Sequence, residues 1–176
     1  MPPPEVQLHQ DLRSMNLELT EIAARLGAAV VAGCVIGINR DLANKPIGAH
    51  TLGLVSLGAA SVCVAALQVD GMWGHPDALS RVIQGVIQGI MAGISFIGAG
   101  VILRDAEART VEGLTTAATV WVAAALGIAA GLAAWTTLGM SPALALVLLV
   151  GVGWLEKVYF PNVKGGADRS KGGDHR

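Results

Sequence analysis

The chain has 176 residues, of which 53% are hydrophobic and 14% are charged, and its mean hydropathy is +0.58. In a soluble domain roughly a quarter of all residues are charged, and a disordered chain is still more polar. The low charged fraction of this chain therefore excludes both a soluble domain and a disordered chain. The net charge of −1 gives no basic surface for nucleic acid. The two cysteines lie in apolar runs, which excludes a disulfide framework. This composition predicts a protein of the lipid bilayer.

Stretches without charged residues locate the membrane spans. A helix needs about 20 apolar residues to cross the hydrocarbon core. The stretches 46–69 and 82–103 are about that long and contain no Asp, Glu, Lys or Arg, and the stretch 113–155 is long enough for two helices. Ser141 and Pro142 lie near the middle of that long stretch and are typical of an N-cap followed by the first helical residue. They predict a helix start there.

The first span is the least apolar. The run 26–38 crosses the bilayer if the helix extends backwards, with Glu21 and Arg25 at the interface and Arg25 reaching outward. The sequence therefore predicts an all-α, polytopic membrane protein with one transmembrane domain, 20–160, a polar N-terminal tail, 1–19, and a flexible C-terminal tail, 161–176. The five predicted transmembrane helices are at about 20–38, 52–69, 82–103, 114–135 and 141–159.

Basic residues predict the orientation. With five helices, three Lys and Arg residues lie on the side of the N-terminus and nine lie on the other side. Because the basic side of a membrane protein faces the cytoplasm, we expect the N-terminus outside and the C-terminus in the cytoplasm of a bacterial cell, with the chain in the inner membrane.

Glycines recur at a spacing of four, so each set lies on one helix face. Such flat faces allow helix backbones to approach closely in lipid. We expect helix packing at these positions, with the third helix as a central element. The glycines are Gly33, Gly37, Gly85, Gly89, Gly93, Gly98, Gly100, Gly127 and Gly131.

The third predicted helix also carries polar residues. Gln84, Gln88 and Ser95 lie on one stripe, which is expected to face neighbouring helices. One interpretation is a polar cavity or partner site, and the other is ordinary interhelical hydrogen bonding. Asp77 and Arg81 form an i,i+4 pair at the outer edge of this helix.

No catalytic, cofactor-binding or metal-binding set is predicted. No span has a charged residue at its middle, which weakens a charge-coupled transport mechanism. The sequence contains no Walker A loop, HExxH or CxxC motif. Asp70, His75 and Asp77 share a predicted loop and could bind a divalent cation, although acidic loop residues are usually only solvated.

Several short motifs follow one another in a specific order. They are Gly33-x3-Gly37-x2-Arg40, Lys45-Pro46-x-Gly48-x2-Thr51, Leu54-Val55-x-Leu57-Gly58-Ala59, Arg81-Val82-Ile83-Gln84-Gly85, Phe96-Ile97-Gly98-Ala99-Gly100-Val101-Ile102-Leu103-Arg104 and Gly113-Leu114-Thr115-Thr116-Ala117-Ala118-x2-Trp121. This ordered set resembles the MgtC/SapB family of small bacterial inner-membrane proteins over about residues 20–135.

The resemblance implies five membrane helices, an external N-terminus and a regulatory role. The best-studied relatives are virulence factors needed for growth in low magnesium and inside macrophages, and they act partly by inhibiting the F-type ATP synthase. Positions that match the motifs, or that lie beside them, become functional candidates. These are Arg40, Lys45, Thr51, Asp77, Arg81, Gln84, Gln88, Arg104, Thr115 and Thr116.

Three positions depart from the family pattern in charge. Asn39 replaces an acidic residue, His50 replaces an arginine, and Glu112 replaces an arginine. One hypothesis is a rearranged ion network in which Glu112 pairs with Arg40, Lys45 or His50. The other is three independent, solvated substitutions.

Two functions remain open. The first is a non-enzymatic inner-membrane protein linked to magnesium limitation. It would contact another membrane protein through small-residue faces, with the F-type ATP synthase suggested by the resemblance and a homo-oligomer as a further option. The second is a transporter of a small solute or a cation such as magnesium, which would use the stripe of Gln84, Gln88 and Ser95. A membrane-embedded enzyme is disfavoured because no nucleophile–base pair or metal set is recognisable.

Overall fold

A computed structural model describes residues 4–68, 76–105, 110–152 and 159, with side chains described within 19–68, 77–102 and 113–151 and at 159. The chain divides into two compact units, Met1–Pro142 and Ala143–Arg176. The elements are α1 (Pro4–Leu42), α2 (Ala49–Leu67), α3 (Pro76–Val101), β1 (Leu103–Asp105), β2 (Thr110–Glu112), α4 (Leu114–Gly131) and α5 (Trp135–Val147), which continues as a π-helical turn, Leu148–Val152.

The helices confirm a polytopic membrane protein. Four segments in the described part of the chain are long and apolar enough to span a bilayer, namely Leu19–Leu42, Ala49–Leu67, Asp77–Val101 and Leu114–Gly131. A fifth apolar helix, Trp135–Gly151, is shorter than these. The short antiparallel ladder of β1 and β2, with Leu103 opposite Glu112, lies between α3 and α4.

In the first unit, α4 lies at the centre of the bundle and α3 lies at its edge. Helix α4 contacts α1, α2 and α3. In the most apolar stretch of each helix, 61% of α4 is buried and only 6% of α3. The expectation that the third helix is the central element is therefore wrong. Small residues along α4, such as Ala123, Ala124 and Ala130, are fully buried because they allow neighbouring helices to approach.

The helix limits differ from the predicted ones most at the two ends of the chain. Helix α1 starts at Pro4, so most of the predicted N-terminal tail, 1–19, is helical. Its residues include Glu, Gln, Leu, Arg and Met, which favour helices. The predicted C-terminal tail, 161–176, lies outside the described residues.

The predicted helix start at Ser141 and Pro142 is wrong. Helix α5 begins at Trp135, and Pro142 lies inside it. The break between α4 and α5 is a tight turn in which Ala133 has a φ of 55° and the N–H of Ala134 donates to the carbonyl of Ala129 at 2.8 Å. The turn contains no proline, and Gly131, the glycine at the end of α4 beside it, was predicted to be a helix-packing residue, so the break was not recognised from turn composition.

Candidate functional site

Two arginines of α1 bind the two ends of α4. Arg25 and Arg40 are 15 residues apart, and so are Thr116 and Gly131, a distance of about 22 Å along a helix. Nη1 of Arg25 donates to the carbonyl of Gly131 at 2.8 Å, and Nη2 of Arg40 donates to the hydroxyl of Thr116. These contacts set the register of the antiparallel helices α1 and α4.

Arg40 joins three segments at one end of the bundle. Only 3% of its surface is exposed. Besides Thr116 on α4, its Nη2 donates to the carbonyl of Pro46 in the turn after α1 at 3.2 Å, while its buried Nε has no hydrogen-bond partner among the described residues. Thr116 is also buried, and its carbonyl accepts a hydrogen bond from the hydroxyl of Thr119 at 2.8 Å.

The start of α2 lies beside this junction and is capped by an acidic residue of α1. The carboxylate of Asp41 accepts a hydrogen bond from the N–H of Ala49 at 2.9 Å. A side chain at Gly48 would collide with this carboxylate, so the cap requires glycine there. The motif analysis missed Asp41, although it follows Arg40 directly and acidic residues favour helix N-termini.

At the other end of the bundle, Arg25 does not reach outward as expected. It forms an ion pair with Glu21 one turn earlier and hydrogen-bonds the C-terminal carbonyl of α4, at Gly131. A cation is favourable beside the negative end of a helix dipole. The i,i+4 spacing of Glu21 and Arg25 was the available signal for the ion pair.

Four of the predicted glycines lie where helices cross. A Cβ at Gly33 would lie 2.5 Å from the carbonyl oxygen of Leu52, and one at Gly37 would collide with Ala49, both on α2. Gly127 and Gly131 of α4 approach the other side of α2 in the same way. Ser56 lies between these two crossings, and its buried hydroxyl has no hydrogen-bond partner in the described part of the chain.

The glycines of α3 do not share this role. At Gly85, Gly89, Gly93 and Gly100 a Cβ would meet nothing within 4 Å, and at Gly98 it would make only ordinary contact with Ala117. The prediction of close helix packing at these positions of α3 is therefore wrong within the described chain. The apolar residues of α3 that pack on the bundle lie on its other side. They are Val86, Ile87, Ile90 and Met91.

One face of α3 is thus exposed and consists of glutamines and of residues with small side chains. We call it the exposed α3 face, and it consists of Gln84, Gly85, Gln88, Gly89, Ala92 and Gly93. Neither glutamine side chain has a hydrogen-bond partner among the described residues, and both line an open groove of about 600 Å³ with Leu79, Ser80, Ile83 and Ile87.

Ser95 of the predicted stripe and Arg81 of the predicted ion pair both donate hydrogen bonds to main-chain carbonyls of α3 itself. The hydroxyl of Ser95 donates to the carbonyl of Met91 at 2.7 Å. Nε of Arg81 donates to the main-chain carbonyl of Asp77 at 3.2 Å, so these two residues do not form the expected ion pair between side chains. Polar contact with a neighbouring helix, which the stripe predicted, does not occur within the described chain.

The other predicted functional residues either are exposed or lie outside the described residues. Lys45, Thr51 and Thr115 are exposed. The side chains of Arg104 and Glu112, and the whole of Asp70 and His75, lie outside the described residues. Because the Glu112 side chain is outside them, the hypothesis that it pairs with Arg40, Lys45 or His50 stays a prediction. Within the described ranges, no three His, Cys, Asp or Glu side chains group as metal ligands.

Residues 26–158 match the sequence profile of the MgtC family. The chain is 37% identical over 145 residues to protein SrpB of Synechococcus elongatus, covering 78% of each chain. It is 35% identical over 114 residues to protein SapB of Bacillus subtilis, covering 63% of this chain and 47% of SapB.

The chain is also 36% identical over 105 residues to protein MgtC of Salmonella typhimurium, covering 60% of this chain and 41% of MgtC. It therefore spans less than half of SapB and MgtC. No solved structure matches it significantly. The profile match over most of the chain and the identity to SrpB show that this multi-pass membrane protein belongs to the MgtC family.

Proposed function

We propose that this chain is a non-enzymatic protein of the bacterial inner membrane that acts during magnesium limitation by lateral contact with another membrane protein. The contact is made by the exposed α3 face. The observation that carries the proposal is the position of Gln84 and Gln88, two exposed polar side chains on an apolar helix that have no hydrogen-bond partner in the part of the chain that the structure describes.

Such a face is unfavourable against lipid. The amide groups of Gln84 and Gln88 lose their hydrogen bonds to water in hydrocarbon, and an unpaired polar group in an apolar medium costs roughly 2–7 kcal/mol. A transmembrane helix of a partner removes this cost by supplying donors and acceptors. Gly85, Gly89 and Gly93 allow its backbone to approach closely.

The family supports the physiological setting. A relative at 36% identity carries the name MgtC, and the ordered motifs of this chain resemble proteins needed for growth in low magnesium. The F-type ATP synthase is the partner that the resemblance suggests. This chain differs from the family in charge at Asn39, His50 and Glu112, at one end of the bundle, whereas the exposed α3 face contains no charged residue.

Site-specific photo-crosslinking tests the proposal. A photoactivatable amino acid replaces Gln88 in one variant and Leu54 in a control variant, because Leu54 is an exposed apolar residue on α2. Membranes are irradiated after growth in low and in high magnesium, and adducts are purified through a tag on the full chain and identified by mass spectrometry.

We expect a discrete adduct with a different membrane protein from position 88 and not from position 54, and more of it in low magnesium. Equal adduct patterns from the two positions would contradict the proposal. So would adducts from position 88 that contain only lipid or only a second copy of this chain.

A further inference from the structure

Arg40 is a buried cation whose charge is not balanced within the described structure. It exposes 3% of its surface, and its hydrogen bonds go to neutral groups, the Thr116 hydroxyl and the Pro46 carbonyl. Within the described ranges its buried Nε has no hydrogen-bond partner, and no carboxylate there forms an ion pair with the guanidinium. The C-terminal carbonyls of α1 offset part of the charge. A buried ion without a counter-ion is nevertheless strongly unfavourable.

The guanidinium points at a helix end that is itself electropositive. Helix α4 has 18 residues, and Gly113 at its N-cap provides no side-chain hydrogen bond. The first helical bond runs from the N–H of Ala117 to the carbonyl of Gly113 at 2.8 Å. The N–H groups of Leu114, Thr115 and Thr116 therefore have no partner in the described chain. Leu114 and Thr115 are exposed, so a ligand can reach this turn.

We propose that the first turn of α4, with Arg40 behind it, binds an anionic phosphate group. Free N–H groups at a helix N-terminus and the helix dipole favour phosphate oxygens, and the exposed hydroxyl of Thr115 adds a further donor. The guanidinium adds a full positive charge to the partial positive charge of the helix N-terminus. Because Leu114 begins a membrane span, the turn lies where lipid headgroups lie. The phosphate comes from an anionic phospholipid or from solution.

Two variants at equivalent positions test this site, which is independent of the exposed α3 face. Thr115→Asp places a carboxylate at the second residue of α4, where it competes with a bound anion. His50→Asp makes the same change at the second residue of α2, where Asp41 already caps the helix. Both positions are exposed, so both proteins are expected to fold.

Thermal unfolding of the full chain in neutral detergent is measured at pH 8. The additions are dioleoylphosphatidylglycerol, dioleoylphosphatidylcholine, inorganic phosphate, and sodium chloride at matched ionic strength. At a concentration about 100-fold above Kd, binding raises the midpoint on the order of 5 °C. We expect this rise for the unchanged chain and for His50→Asp, and its loss in Thr115→Asp. The latter protein is expected to be more stable without additions, because its own carboxylate interacts with the helix end.

The pattern of additions identifies the source of the phosphate. A rise with phosphatidylglycerol alone indicates a lipid headgroup, and a rise with inorganic phosphate indicates a soluble ligand; either supports the site. No rise with either compound would overturn the proposal. An equal rise with sodium chloride, or an equal loss of response in both variants, would also overturn it, because each indicates unspecific attraction of charge.

Discussion

Arg40 illustrates what a sequence motif reveals about one residue and what it does not. The order of motifs around Gly37 and Arg40 marked it as a candidate. Its partner Thr116 lies 76 residues away, and no local spacing connects them. Its burial was also hidden from the sequence, because arginine is rarely buried unless it is paired, and the paired groups are a distant hydroxyl and a carbonyl of the following turn.

Replacing Arg40 is expected to weaken one end of the bundle. Arg40→Met keeps much of the side-chain length but leaves the buried Thr116 hydroxyl and the Pro46 carbonyl without their donor. Leaving a buried group such as the Thr116 hydroxyl unsatisfied costs roughly 1–3 kcal/mol. Lys45→Met is the control because Lys45 is exposed, and surface changes usually stay within about 0.5 kcal/mol. Thermal unfolding in detergent measures both. Equal effects of the two changes would show that Arg40 does not stabilise the junction.

At the scale of helices, equal glycine spacings have different consequences. The spacing of four recurs in α1, α3 and α4, but close crossings occur only at Gly33, Gly37, Gly127 and Gly131 within the described chain. Periodicity identifies which residues share a helix face. It does not identify the element that covers the face, since that depends on how all helices pack together. For this reason the helices were predictable, whereas the position of α3 at the edge was not.

The crossing of α1 and α2 is expected to be intolerant of a single methyl group. Gly33→Ala places a Cβ 2.5 Å from the main-chain oxygen of Leu52, and overpacking costs roughly 1–3 kcal/mol. Gly27 lies on the same helix with nothing within 4 Å, so Gly27→Ala gains about 0.5–1 kcal/mol from helix preference. The unfolding midpoints of the two variants should move in opposite directions. Equal unfolding midpoints of the two variants would show that α1 and α2 do not cross closely at Gly33.

On α3, by contrast, we expect a glycine to be replaceable by a large residue without loss of folded protein. Gly89→Leu adds a large side chain where nothing lies within 4 Å, whereas Gly127→Leu adds it against the backbone of Ser56. We predict normal amounts of folded Gly89→Leu protein in membranes, and little Gly127→Leu protein. Size-exclusion chromatography of detergent extracts compares them. Aggregation of the Gly89→Leu protein would show that α3 is covered within the chain.

For the whole molecule, composition and uncharged stretches of about 20 residues were enough to predict a helical membrane protein, because such stretches can cross the bilayer as helices with every backbone hydrogen bond made inside the segment. The number of spans was harder to predict. Four segments meet the length and hydropathy of a span, and α5 is shorter and contains Pro142. The start of α5 was mispredicted because the turn near Ala133 contains no proline, and Gly131 beside it was assigned to helix packing.

The basic residues predict that the two termini lie on opposite sides of the membrane. The test uses Glu5→Cys and Ser170→Cys, each in a chain in which Cys34 and Cys63 are replaced by alanine. In spheroplasts, an impermeant maleimide should label position 5, and it should reach position 170 only after lysis. The chain without added cysteine is the control for background. Labelling of both positions in one compartment would mean an even number of spans.

The central claim is that the exposed α3 face acts on another membrane protein when magnesium is scarce. Growth in low magnesium tests it directly in cells that lack this gene and carry either Gly89→Leu or Gly58→Leu. Both glycines are exposed, with nothing within 4 Å, but Gly58 lies on α2. At equal membrane abundance, we predict that Gly58→Leu restores growth and Gly89→Leu does not. Full growth with Gly89→Leu would contradict the claim.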